Sequence, residues 1–173
     1  MNKEKLTKYV KDLAIKRGDF TLSSGKKSTY YLDLKLAYTK PEVLHEIVLG
    51  LNEKIKGHEF DRVAGMELGA VPLTVALSLS TGIPFVIIRK AKKGHGADKR
   101  IEGEILKRDE ILLIEDVVTT GGSLVSAVDA LRDSGGECTS AVTVIDRLDG
   151  AQETLQKVNI DLQSLLTIKD LGL

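Results

Sequence analysis

Two neighbouring carboxylates and a Thr/Gly/Ser turn follow one apolar segment of the chain. Residues 111–123 read Ile-Leu-Leu-Ile-Glu-Asp-Val-Val-Thr-Thr-Gly-Gly-Ser. A buried strand ending at Ile114 would deliver Glu115 and Asp116 to the carboxyl edge of a sheet, where ligands bind in open α/β folds. The N–H groups and hydroxyls of the turn at 117–123, which opens into a helix, could hold a phosphate. Because carboxylates repel phosphate, we expect the acids to bind ribose hydroxyls or Mg²⁺ and the turn to bind a 5′-phosphate.

A simpler interpretation of the same string is a strand with an acidic end and a serine helix cap. The string matches neither GxxxxGK[ST] nor GxGxxG, so P-loop and Rossmann nucleotide sites find no support.

A second segment concentrates positive charge. Six Lys or Arg residues lie between positions 89 and 100 against one acid, Asp98, and glycines 94, 96 and 103 flank them. A solvated basic loop or a nucleic-acid patch is the alternative, but no aromatic residue is interleaved to stack on a base. We therefore predict a loop that closes over a polyanion and stabilises a pyrophosphate leaving group.

Apolar patterning predicts the elements that position these segments. Strands that alternate with helices and read as apolar runs are typical of a parallel sheet covered on both faces. A Ser/Tyr-rich hairpin at 21–34 does not fit that core and is expected to form a small flap over it. We predict strands at 62–66, 84–88, 110–114, 139–145 and 162–168, helices at 6–18, 41–57, 72–80, 123–134 and 151–158, and a loop at 89–104.

The composition narrows the class of protein. The 173 residues are 42% hydrophobic and 29% charged, which fits one domain with an ordinary core. Net charge is zero, so we expect neither nucleic acid nor an anionic membrane as a partner. The stretch 68–88 carries no charge, but Pro72 and Pro84 interrupt it, so we expect no transmembrane helix. The single cysteine, Cys138, fits a reducing cytoplasm.

Four motifs together resemble a known family. The string at 111–123 resembles the phosphoribosyl-pyrophosphate (PRPP) signature of type I phosphoribosyltransferases. Arg-Lys-x-x-Lys-x-His-Gly at 89–96 is similar to the catalytic loop of the orotate phosphoribosyltransferases. The segment 18–28 resembles the substrate-covering flap of that family, and Val-Ile-Asp-Arg at 144–147 its orotate-binding arginine.

The resemblance implies a type I phosphoribosyltransferase fold, a central parallel sheet flanked by helices with a small N-terminal hood. It implies one domain over residues 1–173, to which residues 1–36 contribute a helix and the hood. The implied reaction is transfer of the phosphoribosyl group of PRPP to N1 of orotate. Orotidine 5′-monophosphate and pyrophosphate are the products, in pyrimidine biosynthesis. Mg²⁺ would enter bound to PRPP, without a cluster of protein ligands, and the enzyme would be a homodimer whose basic loop reaches the neighbouring active site.

The resemblance also assigns roles to individual residues. Arg89, Lys90, Lys93 and His95 would contact pyrophosphate and, with Asp116, serve catalysis. Glu115 and Asp116 would bind the ribose hydroxyls, and Thr119 and Arg147 would contact orotate. Residues 66–72 would form a second loop facing the pyrophosphate. The 5′-phosphate turn would consist of Val117, Val118, Thr119, Thr120, Gly121, Gly122 and Ser123.

The chain departs from the family pattern at two places. Many members carry a lysine where this chain has Ser23, and some carry one in the loop at 66–71, which here has none. Lys26 or Lys27 could compensate. Two alternatives remain open: a phosphoribosyltransferase for another base, which Arg147 would discriminate against, and a PRPP-sensing regulator without catalysis.

Overall fold

The computed structural model describes residues 1–21, 27–90 and 100–173. Most of the predicted flap turn and residues 91–99, with the predicted site residues Lys93 and His95, lie outside the described residues. The N-terminal part consists of α1 (Lys3–Leu13), β1 (Ile15–Thr21), β2 (Lys27–Leu32), α2 (Lys35–Tyr38) and α3 (Pro41–Ile55). The rest consists of β3 (Arg62–Met66), α4 (Val71–Thr81), β4 (Phe85–Ile88), β5 (Ile101–Glu102), β6 (Glu110–Val118), α5 (Gly122–Asp133), β7 (Glu137–Asp146), α6 (Ala151–Gln156) and β8 (Asp161–Thr167), with a 3₁₀ turn at Ile168–Leu171.

A six-stranded sheet in the order β5-β4-β3-β6-β7-β8 forms the centre of the fold. All neighbouring strands are parallel except β5, which pairs antiparallel with β4 at one edge. Strands β1 and β2 form a separate antiparallel hairpin. The central parallel sheet and the small N-terminal hood are therefore both present as predicted.

Helices cover both faces of the sheet. Successive side chains of a strand point to opposite faces, so each strand packs against the helices on both sides. Along β6, Leu112 and Ile114 pack into the cluster that includes side chains of α1, α3 and α4. Ile111 and Leu113 pack into a second cluster with side chains of α5 and α6. This double covering explains why β6 reads as a continuous apolar run.

The chain reverses its winding direction between β3 and β6. From β3 it continues through α4, on one face, to β4; from β6 it continues through α5, on the other face, to β7. The loops after β3 and β6 therefore diverge, and a crevice opens between them at the carboxyl ends of the strands. This position is the switch point of the sheet.

Several boundaries differ from the sequence prediction. Strand β6 continues to Val118, because residues 115–118 stay paired with β7, so both acids lie inside the strand. Within the predicted loop at 89–104, Ile101 and Glu102 form the antiparallel edge strand. Helix α1 ends at Leu13 rather than Gly18, since the hood begins at Ile15.

Candidate active site

A cavity of about 620 Å³ lies at the switch point, between the carboxyl ends of the strands and the hood. The strand ends and their loops contribute most of its walls. The hood and α2 contribute the side facing the sheet edge. The lining residues are Thr21, Tyr31, Leu32, Lys35, Met66, Glu67, Leu68, Gly69, Lys90, Glu115, Asp116, Val117, Val118, Thr119, Thr120, Gly121, Gly122, Ser123, Leu124 and Arg147.

The carboxylate of Asp116 lies directly against the backbone of Gly69. A Cβ atom added at Gly69 would lie 2.3 Å from Asp116 Oδ2 and 2.5 Å from its Cγ. Asp116 Oδ1 also accepts a hydrogen bond from the N–H of Val117, at 2.8 Å. Glycine at position 69 thus allows the loop after β3 to approach an oriented carboxylate.

Glu115 is the more buried of the two acids, with 8% of the residue exposed. Burial raises the pKa of Glu115 well above its ordinary range, and the neighbouring Asp116 carboxylate raises it further. The Oε1 atom of Glu115 accepts a hydrogen bond from the N–H of Asp116, at 2.9 Å. Glu115 is therefore an acid of raised proton affinity beside a second carboxyl group, Asp116, at the cavity floor.

The turn after β6 places the N-terminus of α5 in the cavity wall. Gly121 caps the helix with a φ of 83°, a left-handed conformation that favours glycine. The space is also tight there, because an added Cβ would lie 3.3 Å from the backbone of Ala151. The first N–H groups of a helix have no partner within it, so this end can bind an anion.

Arg147 lies at the carboxyl end of β7, facing the hood. Its Nη2 donates a hydrogen bond to the hydroxyl of Tyr30 at 3.1 Å, and its guanidinium carbon lies 4.9 Å from the centre of the Tyr30 ring. Only 8% of the side chain is exposed, and Nε lies 3.6 Å from Asp149. Within the described residues, this buried Nε has no hydrogen-bond partner. The guanidinium as a whole is planar and permanently charged, which suits a planar anionic acceptor.

The base of the basic loop is held on both sides. The N–H of Lys90 donates to Glu67 at 2.9 Å, which ties the end of β4 to the loop after β3. Arg89 pairs with Glu102 at 3.2 Å. Arg100 donates to the carbonyl and hydroxyl oxygens of Ser126 on α5. Lys90 therefore lines the cavity, whereas Arg89 does not.

Comparison with known proteins assigns the chain to a family. The model of the phosphoribosyl transferase domain matches residues 40–166. The orotate phosphoribosyltransferase of Methanosphaera stadtmanae is 46% identical over 169 residues, which cover 97% of this chain and 95% of that protein. The chain belongs to the orotate phosphoribosyltransferase family.

Solved structures of the family share the fold. The orotate phosphoribosyltransferase of Mycobacterium tuberculosis superposes with a TM-score of 0.87 at 34% identity, covering all of both chains. The same enzyme crystallised with PRPP gives a TM-score of 0.84 at 32% identity, again over both whole chains. The fold class and the family predicted from the motifs are confirmed.

The structure brings most of the predicted site residues into one cavity. Lys90, Arg147 and all nine residues from Glu115 to Ser123 line it. Four residues of the predicted loop at 66–72 also line the cavity: Met66, Glu67, Leu68 and Gly69. Sequence reasoning missed Lys35, because no pattern in the sequence separates it from the other lysines near it.

Residues 1–21, 27–90 and 100–173 contain no group of three or more His, Cys, Asp or Glu side chains placed to hold a metal ion. Within the same ranges, every helix is too short or too polar to cross a lipid bilayer.

Proposed function

We propose that the protein transfers the phosphoribosyl group of PRPP to N1 of orotate, which yields orotidine 5′-monophosphate and pyrophosphate in the synthesis of UMP. One observation carries the choice of substrates: Arg147 lines the same cavity as Asp116 and the turn at 119–123 that opens α5. One cavity would then contain a site for the 5′-phosphate, a site for the ribose and a site for the orotate carboxylate.

Each end of the substrate pair meets a different wall. The turn at 119–123 would bind the 5′-phosphate through N–H groups and hydroxyls. Asp116 would accept hydrogen bonds from the vicinal ribose hydroxyls, with Glu115 beside it. Arg147 would pair with the orotate carboxylate, and Thr119 would contact the same base. The ribose would thus be held between its phosphate and the incoming nitrogen.

The reaction needs positioning and charge stabilisation more than an enzyme nucleophile. Bond breaking at the anomeric carbon develops positive charge on the ribose and negative charge on the departing pyrophosphate. Lys90, together with Arg89, Lys93 and His95 of the basic loop, would stabilise that negative charge. Mg²⁺ would be held largely by the substrate and water rather than by a cluster of protein side chains, and it would supply further positive charge against the pyrophosphate.

A base panel tests the substrate choice. With PRPP and Mg²⁺, we expect pyrophosphate release with orotate and none with adenine, hypoxanthine or uracil, which lack the carboxylate that Arg147 would bind. Arg147→Ala should lose about 1.5–3 kcal/mol of orotate binding, or roughly tenfold to a hundredfold, while its PRPP dissociation constant stays unchanged. Arg147→Lys keeps the positive charge but loses the planar pair of N–H donors, so its affinity for orotate should lie between those of the wild type and Arg147→Ala. Robust use of a purine would refute the assignment.

The resemblance also implies a homodimer, and an apolar surface supports one. Helix α4 lies in the charge-free stretch 68–88, and Leu79 on it is 83% exposed. Phe85, which begins the next strand, is 39% exposed. Exposed apolar residues on a helix without charges are typical of a subunit interface. We expect Leu79→Glu to yield monomers, and Leu106→Glu, at a 52% exposed leucine elsewhere, to leave the dimer intact.

Mixed dimers test whether the basic loop serves the neighbouring site. Lys93→Ala and Asp116→Asn should each be nearly inactive as homodimers. If the loop acts in trans, a mixed dimer carries both lesions in one site and none in the other. Random exchange of equal amounts gives roughly half heterodimers, so about a quarter of all sites should recover. Activity at the parental level after verified exchange would place the loop in its own subunit.

We also propose that the protein is cytoplasmic, that residues 1–173 form a single domain, and that the site residues have the individual roles given above. The roles of Lys93 and His95 rest on the sequence motif alone.

A further inference from the structure

One cation of the cavity is not used by the proposed mechanism. Among the described residues, three cationic side chains line the cavity: Lys35, Lys90 and Arg147. Lys90 follows β4 and Arg147 follows β7, so both belong to the sheet edge. Lys35 instead begins α2, between the hood and the sheet.

The position of Lys35 follows from how α2 is attached. Tyr38, three residues further along the helix, donates a hydrogen bond from its hydroxyl to the carbonyl oxygen of Gly69, at 2.9 Å. Residues three apart on a helix lie on the same side. Since Gly69 contacts the Asp116 carboxylate, Lys35 lies near the loop after β3 and near that acid. The negative charge of Asp116 is among the causes that raise the pKa of Lys35, after the hydrogen bond to Asp33.

The partner of Lys35 leaves it available to a ligand. Its Nζ lies 2.7 Å from Asp33 Oδ1, and 41% of the lysine side chain is exposed. An ion pair that is this exposed contributes little net stability, so it can be exchanged. An ammonium group also has three N–H donors, which allows it to keep Asp33 and donate to a second acceptor.

The walls around Lys35 indicate which acceptor that would be. The 5′-phosphate belongs at the turn 119–123 and the base at Arg147, which leaves the remaining charged end of PRPP to the wall formed by Glu67, Gly69 and Lys90. This wall contains an acid, and a pyrophosphate there needs cations on more than one side. We propose that Lys35 binds the pyrophosphate group of PRPP from the α2 side, opposite Lys90. The inference rests on the proposed function.

Direct binding measurements test the proposal without relying on turnover. Titration calorimetry with PRPP and Mg²⁺, and separately with pyrophosphate and Mg²⁺, gives dissociation constants for the wild type, Lys35→Ala, Lys35→Gln and Lys35→Arg. Loss of a hydrogen bond to a charged group predicts about a tenfold to hundredfold weaker binding of both ligands for Ala and Gln. Arg, which keeps the charge, should stay within about threefold of the wild type. Lys40→Ala, at an exposed lysine just before α3, is the matched control and should bind normally.

The outcomes separate this inference from the function itself. Wild-type protein that fails to bind PRPP would overturn the proposed function. If the wild type binds PRPP and Lys35→Ala binds it equally well, only the role of the Lys35 charge would be overturned. The same holds if Lys35→Arg and Lys35→Ala lose affinity for PRPP to the same extent. The KM for orotate should change less than twofold in Lys35→Ala, and a selective rise in that KM would place Lys35 at the base instead.

Discussion

The close contact between Gly69 and Asp116 gives a sharp prediction for Gly69→Ala. The added Cβ would lie 2.3 Å from Asp116 Oδ2, whereas ordinary contacts begin near 3.4 Å, so the carboxylate or the loop must shift by about 1 Å. The φ of Gly69 lies outside the left-handed range, so alanine adds no backbone strain there. The cost should therefore fall on the position of Asp116, the acid proposed to bind the ribose, rather than on folding.

The expected loss can be stated as a rate. A displacement of about 1 Å at a catalytic group costs roughly a hundredfold, which corresponds to about 2.7 kcal/mol of transition-state stabilisation. We expect kcat/KM for PRPP to fall by about that factor in steady-state assays of pyrophosphate release. The thermal unfolding temperature should stay within about 2 °C of the wild type, since no buried apolar group is removed.

Gly57→Ala is the matched control. Gly57 has a φ of 85°, but an added Cβ would meet no atom within 4 Å. Alanine there is strained by about 1 kcal/mol and remote from the cavity, so it should lower the unfolding temperature and leave kcat/KM unchanged. The two variants should thus show opposite patterns of stability and activity.

A double-mutant cycle shows whether Gly69→Ala acts through Asp116. Adding Gly69→Ala to Asp116→Asn should cost little more than Asp116→Asn alone, because the group that it displaces has already lost its function. Full additivity of the two losses, or a single variant Gly69→Ala within about threefold of wild-type kcat/KM, would refute the reasoning.

Substitutions at three other positions test the electrostatics of the fold and of the site. Burial disfavours the ionised form of Glu115, so the folded state loses stability as the pH rises above the ordinary carboxyl pKa of 4.5. Glu115→Gln should therefore raise the unfolding temperature by about 2–4 °C at pH 7.5 and leave it unchanged at pH 4.5. The same substitution should weaken PRPP binding. Burial of Asp109 opposes its ionisation, but hydrogen bonds from the N–H of Leu106 and from Arg62 outweigh it and hold the Asp109 pKa below 3.8. The stabilisation from these hydrogen bonds is present above pH 3.8 and is lost as the pH falls through the lowered pKa of Asp109. Asp109→Asn should therefore unfold about 2–4 °C lower than the wild type at pH 7, and thermal scans should show this gap narrowing below pH 3.8. Tyr30→Phe keeps an aromatic ring against Arg147 but removes the hydroxyl that accepts its hydrogen bond. The KM for orotate should therefore rise about threefold to tenfold, while the KM for PRPP stays constant. Tyr30→Leu also removes the ring and should raise the KM for orotate further.

The sheet could be predicted from the sequence because its strands are apolar runs, which are typical of strands buried on both faces. The same criterion placed the end of β6 too early. Glu115 and Asp116 look like the first residues of a loop, yet their backbones remain paired with β7 to Val118. Polarity marks the end of burial along a strand, and here the backbone pairing extends further than the apolar run.

The site was predictable where one segment carries its whole chemistry. The turn at 117–123 and the two acids before it are contiguous, so their types and spacing suffice. Lys35 and the Tyr30 contact of Arg147 depend on the hood lying over the sheet edge, with 117 positions separating the two partners of that hydrogen bond. No local pattern specifies such a contact, since tertiary packing alone brings the two segments together.

Different structural elements carry the two ends of the cavity, and this affects how substrate preference can change. Strand β6 and the turn before α5 carry the residues proposed for the phosphoribosyl end, whereas Arg147, just after β7, and its hood partner Tyr30 are proposed for the base end, which Thr119 also contacts. A substitution at the base end can therefore alter which nitrogen base is accepted and leave the activated sugar in place. On the proposed roles, donor recognition and acceptor recognition would be separable traits, and replacements in the hood and after β7 would change the accepted base.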